Sequence, residues 1–172
     1  GVNFIEYVLV DANGCSASEI QSTLVRALPN AIYSGLSAEY CINDGPSQLL
    51  PVMTNGTFDG DGISGFTFNP QTAGVGTFEI KYVIAYGNGC ADSTVQITTV
   101  KDVPFASFTG LANSYCENAG TFTMIPQTTG GVFSGPGVSG NTFNTELANI
   151  GQNTVYYELT GVNGCVGSTS KI

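Results

Sequence analysis

The chain has no histidine and no tryptophan, and only four of its 172 residues are basic. Without histidine, a cysteine nucleophile has no imidazole base. With a formal net charge of −9, almost nothing could neutralise phosphates, so nucleic acid is excluded as a partner and an anionic membrane surface is disfavoured. No long apolar run predicts a membrane-spanning helix, so direct membrane insertion is not expected.

What the chain does have is an internal repeat with a fixed step of 75 residues. The step relates the five cysteines in two series: Cys15, Cys90 and Cys165, and Cys41 and Cys116. Placing residues 29–97 on 104–172 without gaps gives 28 identities in 69 positions. A strict period of this length indicates an array of similar domains, so the repeat unit has to be explained first.

The period divides the chain into three parts. Residues 1–28 match only the second part of a unit, and they predict the C-terminal part of a preceding repeat. Residues 29–103 form one complete unit, and residues 104–172 form another that is slightly truncated at its end. We therefore expect a segment of a longer protein, with targeting signals elsewhere.

Cysteine spacing predicts one disulfide in each repeat. Cys41 and Cys90 are 49 residues apart, and so are Cys116 and Cys165, which predicts these two bonds. Cys15 is then expected to pair with a cysteine before residue 1. A metal site is disfavoured, because two thiols per unit and no histidine cannot close a tetrahedral shell. Disulfides persist in oxidising compartments, so an extracellular location is expected.

Residue alternation predicts strands throughout. From Thr77 to Tyr86 one face is apolar, with Phe78, Ile80, Tyr82, Ile84 and Tyr86. Turn residues follow, and the resulting hairpin recurs at 4–25, 77–100 and 152–172, with shorter strands expected at 31–36, 47–53, 56–58 and 66–69. The prediction is an all-β fold of tandem immunoglobulin-like antiparallel β-sandwich domains, although the tryptophan of true immunoglobulin domains is absent.

Two glycine motifs and an acidic turn are candidate binding sites. Residues 60–65 and 135–140 fit G-x-G-x-x-G, but neither lies between a parallel strand and a helix, so turns are favoured over a cofactor loop. Asp59 and Asp61 resemble a fragment of a calcium loop without its later ligands. A solvated turn is favoured there, and any ion site would occur only in residues 29–103, because the next unit has no carboxylates at these positions.

The remaining candidates are surface features. Tyr7, Tyr82 and Tyr157 share one register, which allows a sugar-stacking platform but favours a core position. Ser93 follows Asp92 in a short motif similar to a Bacteroidota O-glycosylation signal. No two acidic residues recur in register, so no catalytic dyad is found, and neither an enzyme nor a cofactor is expected.

The repeat resembles a known class. The resemblance is carried by residues 115–118, by the run Gly-Gly-Val-Phe-Ser-Gly-Pro-Gly-Val-Ser-Gly-Asn-Thr-Phe-Asn at 130–144, and by Asn-Gly-Cys at 163–165. These are similar to the Ig-like or PKD-like repeats of large Bacteroidota surface proteins, including SprB-type gliding-motility adhesins. The resemblance covers essentially the whole chain and supplies no catalytic residues.

The resemblance implies export by the type 9 secretion system and display on the outer membrane surface. The expected function is that of a structural stalk or force-bearing segment of an adhesin in gliding motility or surface attachment. Neighbouring repeats are the expected partners, and surface polysaccharide or other surface proteins are further candidates. Two alternatives stay open: a carbohydrate-binding accessory module of a secreted enzyme, and a surface-layer or fibre subunit.

Overall fold

Strands dominate the fold, as the alternation predicts. The computed structural model describes all 172 residues, with 48% in strands and 2% in one short helix. The strands before residue 104 are β1 Val2–Val10, β2 Ser16–Leu24, β3 Tyr33–Ser34, β4 Glu39–Cys41, β5 Ser47–Gln48, β6 Leu50–Pro51, β7 Thr57–Asp59, β8 Ile63–Ser64, β9 Thr67–Phe68, β10 Gly76–Ala85 and β11 Ala91–Lys101. The single helix, α1, is Pro70–Ala73.

Eight further strands follow residue 104. They are β12 Phe108–Thr109, β13 Thr121–Thr123, β14 Ile125–Pro126, β15 Val132–Ser134, β16 Val138–Ser139, β17 Thr142–Asn144, β18 Val155–Thr160 and β19 Val166–Lys171. The chain contains no helix with the length and apolar character needed to cross a bilayer.

The main sheet of residues 29–103 is built on the hairpin of β10 and β11. Its strand order is β4-β11-β10-β7, in which β4 runs parallel to β11 and the other pairs are antiparallel. Ile80, Tyr82 and Ile84 are fully buried on one face of β10, so the predicted apolar face is confirmed. Smaller sheets, β5-β9-β8 and β3-β6, complete this part of the chain.

A first hydrophobic core lies within these residues. Its buried members are Ala31, Tyr33, Tyr40, Leu49, Phe68, Ile80, Tyr82, Ile84 and Val100. The rings of Tyr33, Phe58 and Tyr82 pack together, with the Phe58 and Tyr82 centroids 4.5 Å apart. Such aromatic contacts stabilise a core beyond the apolar area they bury.

Residues 104–172 repeat this packing around a second core. Its buried members are Met124, Phe133, Phe143, Val155, Tyr157 and Leu159. Phe133 and Tyr157 again lie 4.5 Å apart, as their counterparts one period earlier do. The hairpin of β18 and β19 pairs with β15, and β17 lies between β13 and β16. The 75-residue period in the sequence is therefore accompanied by equivalent packing of these aromatic rings.

The buried tyrosines each hold a neighbouring loop. The hydroxyl of Tyr82 accepts from the Gly56 amide at 2.9 Å and donates to the Met53 carbonyl. The hydroxyl of Tyr157 accepts from the Gly131 amide at 3.0 Å. The contact is so close that a Cβ at Gly56 would lie 2.6 Å from the Tyr82 hydroxyl oxygen. A core role for these two tyrosines is confirmed, and neither is exposed to stack on a sugar.

The two G-x-G-x-x-G segments are turns. Gly62 has a φ of 77° and Gly137, one period later, has a φ of 74°. This left-handed backbone is open to glycine but strained for other residues. The segments lead from one short strand to the next, β7 to β8 and β15 to β16, and no helix follows them directly. The turn prediction is therefore confirmed.

The N-terminal hairpin packs on nothing. β1 and β2 pair over nine residues on each strand, yet every residue from 1 to 28 is exposed. Tyr7, in the same register as the buried Tyr82, is 65% exposed. The prediction that Tyr7 lies in a core is wrong, because the strands that cover Tyr82 have no counterpart around this hairpin.

Candidate functional site

A single disulfide marks the most distinctive site in the molecule. It joins Cys41 to Cys165, whose Cα atoms are 5.6 Å apart, while Cys15, Cys90 and Cys116 are free thiols. The predicted bonds Cys41–Cys90 and Cys116–Cys165 are therefore wrong, as is one disulfide per repeat. The bond connects residues of the first core region to those of the second.

Strand direction explains why Cys41 cannot reach Cys90. Cys41 ends β4 and lies beside Lys101, the last residue of β11. Cys90 directly precedes β11 and lies at its other end. Ten residue steps of about 3.3 Å separate the ends of this strand, roughly 33 Å in all. A disulfide needs Cα atoms less than about 7 Å apart, so the two cysteines of one repeat lie at opposite poles.

Cys165 lies in the turn between β18 and β19 and is almost fully buried. The turn is closed by backbone bonds from Gly161 N to Cys165 O at 2.8 Å and from Gly164 N to Gly161 O at 3.0 Å. The Asn163 side-chain oxygen accepts from the Cys165 amide at 3.1 Å. Glycine at 164 allows the φ of 82° that this turn requires. The turn fixes the position of the sulfur.

Cys41 is held by a turn of its own. The Asp44 carboxylate accepts from the Cys41 amide at 2.7 Å, and the Asp44 amide donates to the Cys41 carbonyl at 3.0 Å. The Ile42 amide donates to the Lys101 carbonyl at 2.9 Å, which extends the parallel pairing beyond β4. Lys101 also forms an ion pair with Glu39 at 2.6 Å. This pair is partly solvated and contributes at most about 1 kcal/mol.

Two asparagine side chains form hydrogen bonds between residues 29–103 and residues 104–172, beside the disulfide. Asn43 donates to the Val166 carbonyl at 3.1 Å, and Asn163 donates to the Asp102 carbonyl at 2.7 Å. The 75-residue period repeats asparagine at both places, as Asn43 and Asn118 and as Asn88 and Asn163. That recurrence is the signal that could have pointed to them, since a turn alone does not require asparagine at both places.

A close backbone contact lies next to these hydrogen bonds. Gly167 is buried against Pro104, where any Cβ would collide with the Pro104 carbonyl oxygen. One period earlier the residue is Asp92, whose carboxylate instead accepts from the Ala31 amide at 3.2 Å. Because Gly167 has no side chain, the backbone at Pro104 can contact the hairpin of β18 and β19 directly. The disulfide, the two asparagine bonds and this contact form one site, which we call the joint.

The other candidate residues lie apart from the joint. Asp59 is exposed on β7 opposite Lys81, and Asp61 is exposed in the following turn. The chain has no group of three or more histidine, cysteine or acidic residues placed to hold a metal ion. Ser93 is exposed near the start of β11, where a glycan would meet solvent. Its glycosylation stays a prediction.

A groove of about 370 Å³ opens beside Cys116. Its apolar wall is formed by Leu111, Tyr115, Phe143, Ala148 and Val155. Their counterparts one period earlier pack in the first core together with Val100, which is 1% exposed.

One titratable group has a perturbed acidity, and it lies in the first core. Burial raises the pKa of the Tyr33 phenol above its ordinary value of 10.0, against a smaller lowering effect of a backbone hydrogen bond with Gln96. The hydroxyl donates to the Ile80 carbonyl at 2.6 Å. This tyrosine supports the core.

No known family model matches the chain, and no curated protein matches its sequence significantly. The joint itself is therefore the basis for inferring a function. Its parts are a covalent bond, backbone acceptors and two amide donors, a combination suited to holding two bodies in fixed contact.

Proposed function

We propose that the chain is a structural segment of a long extracellular adhesin, acting as a stalk that transmits force. In this proposal residues 29–103 and 104–172 are immunoglobulin-like β-sandwich domains of a tandem array. The observation that carries it is the Cys41–Cys165 bond, which connects two separately packed cores. A bond between neighbours restricts bending and tensile separation, which a stalk requires and an independent module does not.

Composition supports an extracellular setting for this role. A disulfide is stable in oxidising surroundings. Charged residues make up only 10% of the chain. The net charge of −9 favours solubility and disfavours association with nucleic acid. The resemblance to repeats of Bacteroidota gliding adhesins adds the proposal of export by the type 9 system and attachment at the outer membrane surface. Neighbouring repeats are the first partners in this setting.

Small-angle X-ray scattering tests the stalk proposal. We expect the oxidised chain to show one fixed arrangement of its two cores, and Cys41→Ser to broaden the distribution of interatomic distances. Cys90→Ser is the matched control, because it removes a cysteine of the same repeat without touching the bond. Equal distributions for all three proteins would contradict the proposal, since the bond would then hold nothing in place.

A glycan array separates the stalk from a carbohydrate-binding module. We expect no binding by the whole chain, because Tyr82 and Tyr157 are buried, Tyr7 alone does not form a platform of aligned rings, and the chain has no tryptophan. Specific glycan binding that is lost on Asp59→Ala or Asp61→Ala would favour the module instead.

A further inference from the structure

Cys90 and Cys116 are free, but the cysteine that corresponds to each of them in the neighbouring repeat is bonded. Cys90 lies one period before Cys165, and Cys116 lies one period after Cys41. Cys41 and Cys165 form the disulfide of the joint. The chain therefore contains the two cysteine turns of the joint twice, once bonded and once unbonded, with Asp92 in place of Gly167 and Ala119 in place of Asp44 in the unbonded turns.

The half around Cys90 already has the bonded conformation. The Tyr86 amide donates to the Cys90 carbonyl at 2.8 Å, and Gly89 N donates to Tyr86 O at 3.0 Å, as in the turn around Cys165. The Asn88 side chain accepts from the Cys90 amide at 3.0 Å, as Asn163 does from Cys165. Gly89 has a φ of 86° where Gly164 has 82°. The turn thus needs no rearrangement to present its sulfur.

The half around Cys116 has part of the conformation found around Cys41, although Ala119 replaces Asp44 and residues 114–116 form no strand. The Ala119 amide donates to the Cys116 carbonyl at 3.1 Å, the counterpart of the turn after Cys41. Tyr115, just before it, accepts from the Ala112 amide at 2.6 Å and packs on Phe143, as Tyr40 does on Phe68 one period earlier. Cys116 itself is exposed.

We propose that Cys116 and Cys90 are the open halves of further joints, and that the partner of each is another unit of this repeat. Cys116 bonds a cysteine in an Asn-Gly-Cys hairpin turn, and Cys90 bonds a cysteine that follows tyrosine in a Tyr-Cys-x-Asn turn. Disulfides thus run between successive units and never within one. The inference deepens the proposed stalk and rests on it for its purpose, whereas its test reads only which sulfurs are joined.

The bond forms by thiol–disulfide exchange with a disulfide oxidant such as oxidised glutathione. One thiolate attacks the oxidant, releases one glutathione thiol and becomes a mixed disulfide; the second thiolate then displaces the other glutathione. Two cysteine thiols lose two electrons and two protons in total, and one oxidant molecule becomes two thiols. Contact through unlike faces makes the assembly head-to-tail, which extends as an open chain instead of closing as a symmetric dimer.

The first test uses the whole chain with Cys15→Ser, which removes the exposed thiol of the N-terminal hairpin. In a glutathione redox buffer, we expect a ladder of disulfide-linked species on a non-reducing gel. Mass spectrometry of unreduced peptides should identify Cys116 bonded to Cys90 of a second copy. Adding Cys90→Ser or Cys116→Ser should abolish the ladder while leaving Cys41–Cys165 intact.

The second test supplies the partner unit on the same chain. Residues 98–172 are appended again after Ile172, which continues the period without interruption because Ile172 corresponds to Ile97. We expect Cys116 to bond the appended copy of Cys165, at the same separation of 124 residues as in the observed bond. This arm shows closure within one chain, and the first shows closure between chains.

A Cys116 bond to a hairpin-turn cysteine of another unit, in either test, supports the proposal. It is overturned if Cys116 stays reduced in both tests, bonds Cys165 of its own unit, or links only to Cys116 of another copy. Such results leave the stalk proposal standing, because that proposal depends on Cys41–Cys165 alone.

Discussion

Reduction of the Cys41–Cys165 bond should lengthen a stretched molecule in one large increment. When the chain is pulled by its ends, force passes from Cys41 through the sulfurs to Cys165, and the residues between them carry no load. The bond spans 124 residue steps. At roughly 3.5 Å per extended residue, reduction releases about 430 Å of contour. Before reduction only residues 1–41 and 165–172 can extend.

Single-molecule force spectroscopy measures this length directly. The free thiols are first alkylated, so that a reductant acts on the one disulfide only. Cys41→Ser and Cys165→Ser should show the full extension without reductant. Cys90→Ser should behave like the parent chain, because its sulfur is not in the load path. In the chain-entropy model, the lost bond also lowers the free energy of unfolding by about 5 kcal/mol.

The increment distinguishes this linkage from bonds within each repeat. Two separate loops of 49 residues would each release only about 170 Å. A pair of such steps, or an effect of Cys90→Ser equal to that of Cys41→Ser, would refute a load path through Cys41 and Cys165.

Three smaller perturbations test the core and the joint. Gly56→Ala should cost about 1–3 kcal/mol in urea unfolding, because its Cβ meets a buried tyrosine, whereas Gly87→Ala faces open space and should cost far less. Burial disfavours the Tyr33 phenolate and so raises the pKa of its phenol, and the stability present below pH 10 should therefore fall as pH rises through the raised pKa. Tyr33→Phe should remove this loss in alkaline unfolding curves. Asn163→Ala, which removes a bond across the joint worth about 1 kcal/mol, should favour reduction by glutathione about fivefold, and Asn88→Ala should not change it.

Local patterns in the sequence were sufficient for the long hairpins and most short strands, but β4, β8 and β16, of two or three residues each, were missed. The period-2 alternation around Tyr82 placed its side chain correctly, because one face of that strand packs on a core. Tyr7 has the same pattern but is exposed, since alternation reports only which side chains share a face and not whether anything covers it. The helix Pro70–Ala73 was missed because one turn has no period to detect; it begins at a proline capped by Asn69.

The joint could not be read from cysteine spacing. A step of 49 residues suits a bond within a repeat, but 124, which is one period more, fits the same series equally well. The choice depends on β4 pairing parallel to the end of β11, a long-range contact that leaves no local pattern. The length of the predicted hairpin was a warning against a Cys41–Cys90 bond. A cysteine at the hairpin turn and a cysteine beside its open end are separated by the length of a whole strand.

The Cys41–Cys165 bridge has a consequence for damage in a protease-rich environment. A single cut in any exposed loop between these cysteines, such as the turn at 54–55 or the segment 149–152, breaks the backbone but not the molecule. The two fragments stay tethered through sulfur, and both ends of the chain remain connected. A chain built in this way stays in one piece after cuts that would separate domains connected only by their backbone.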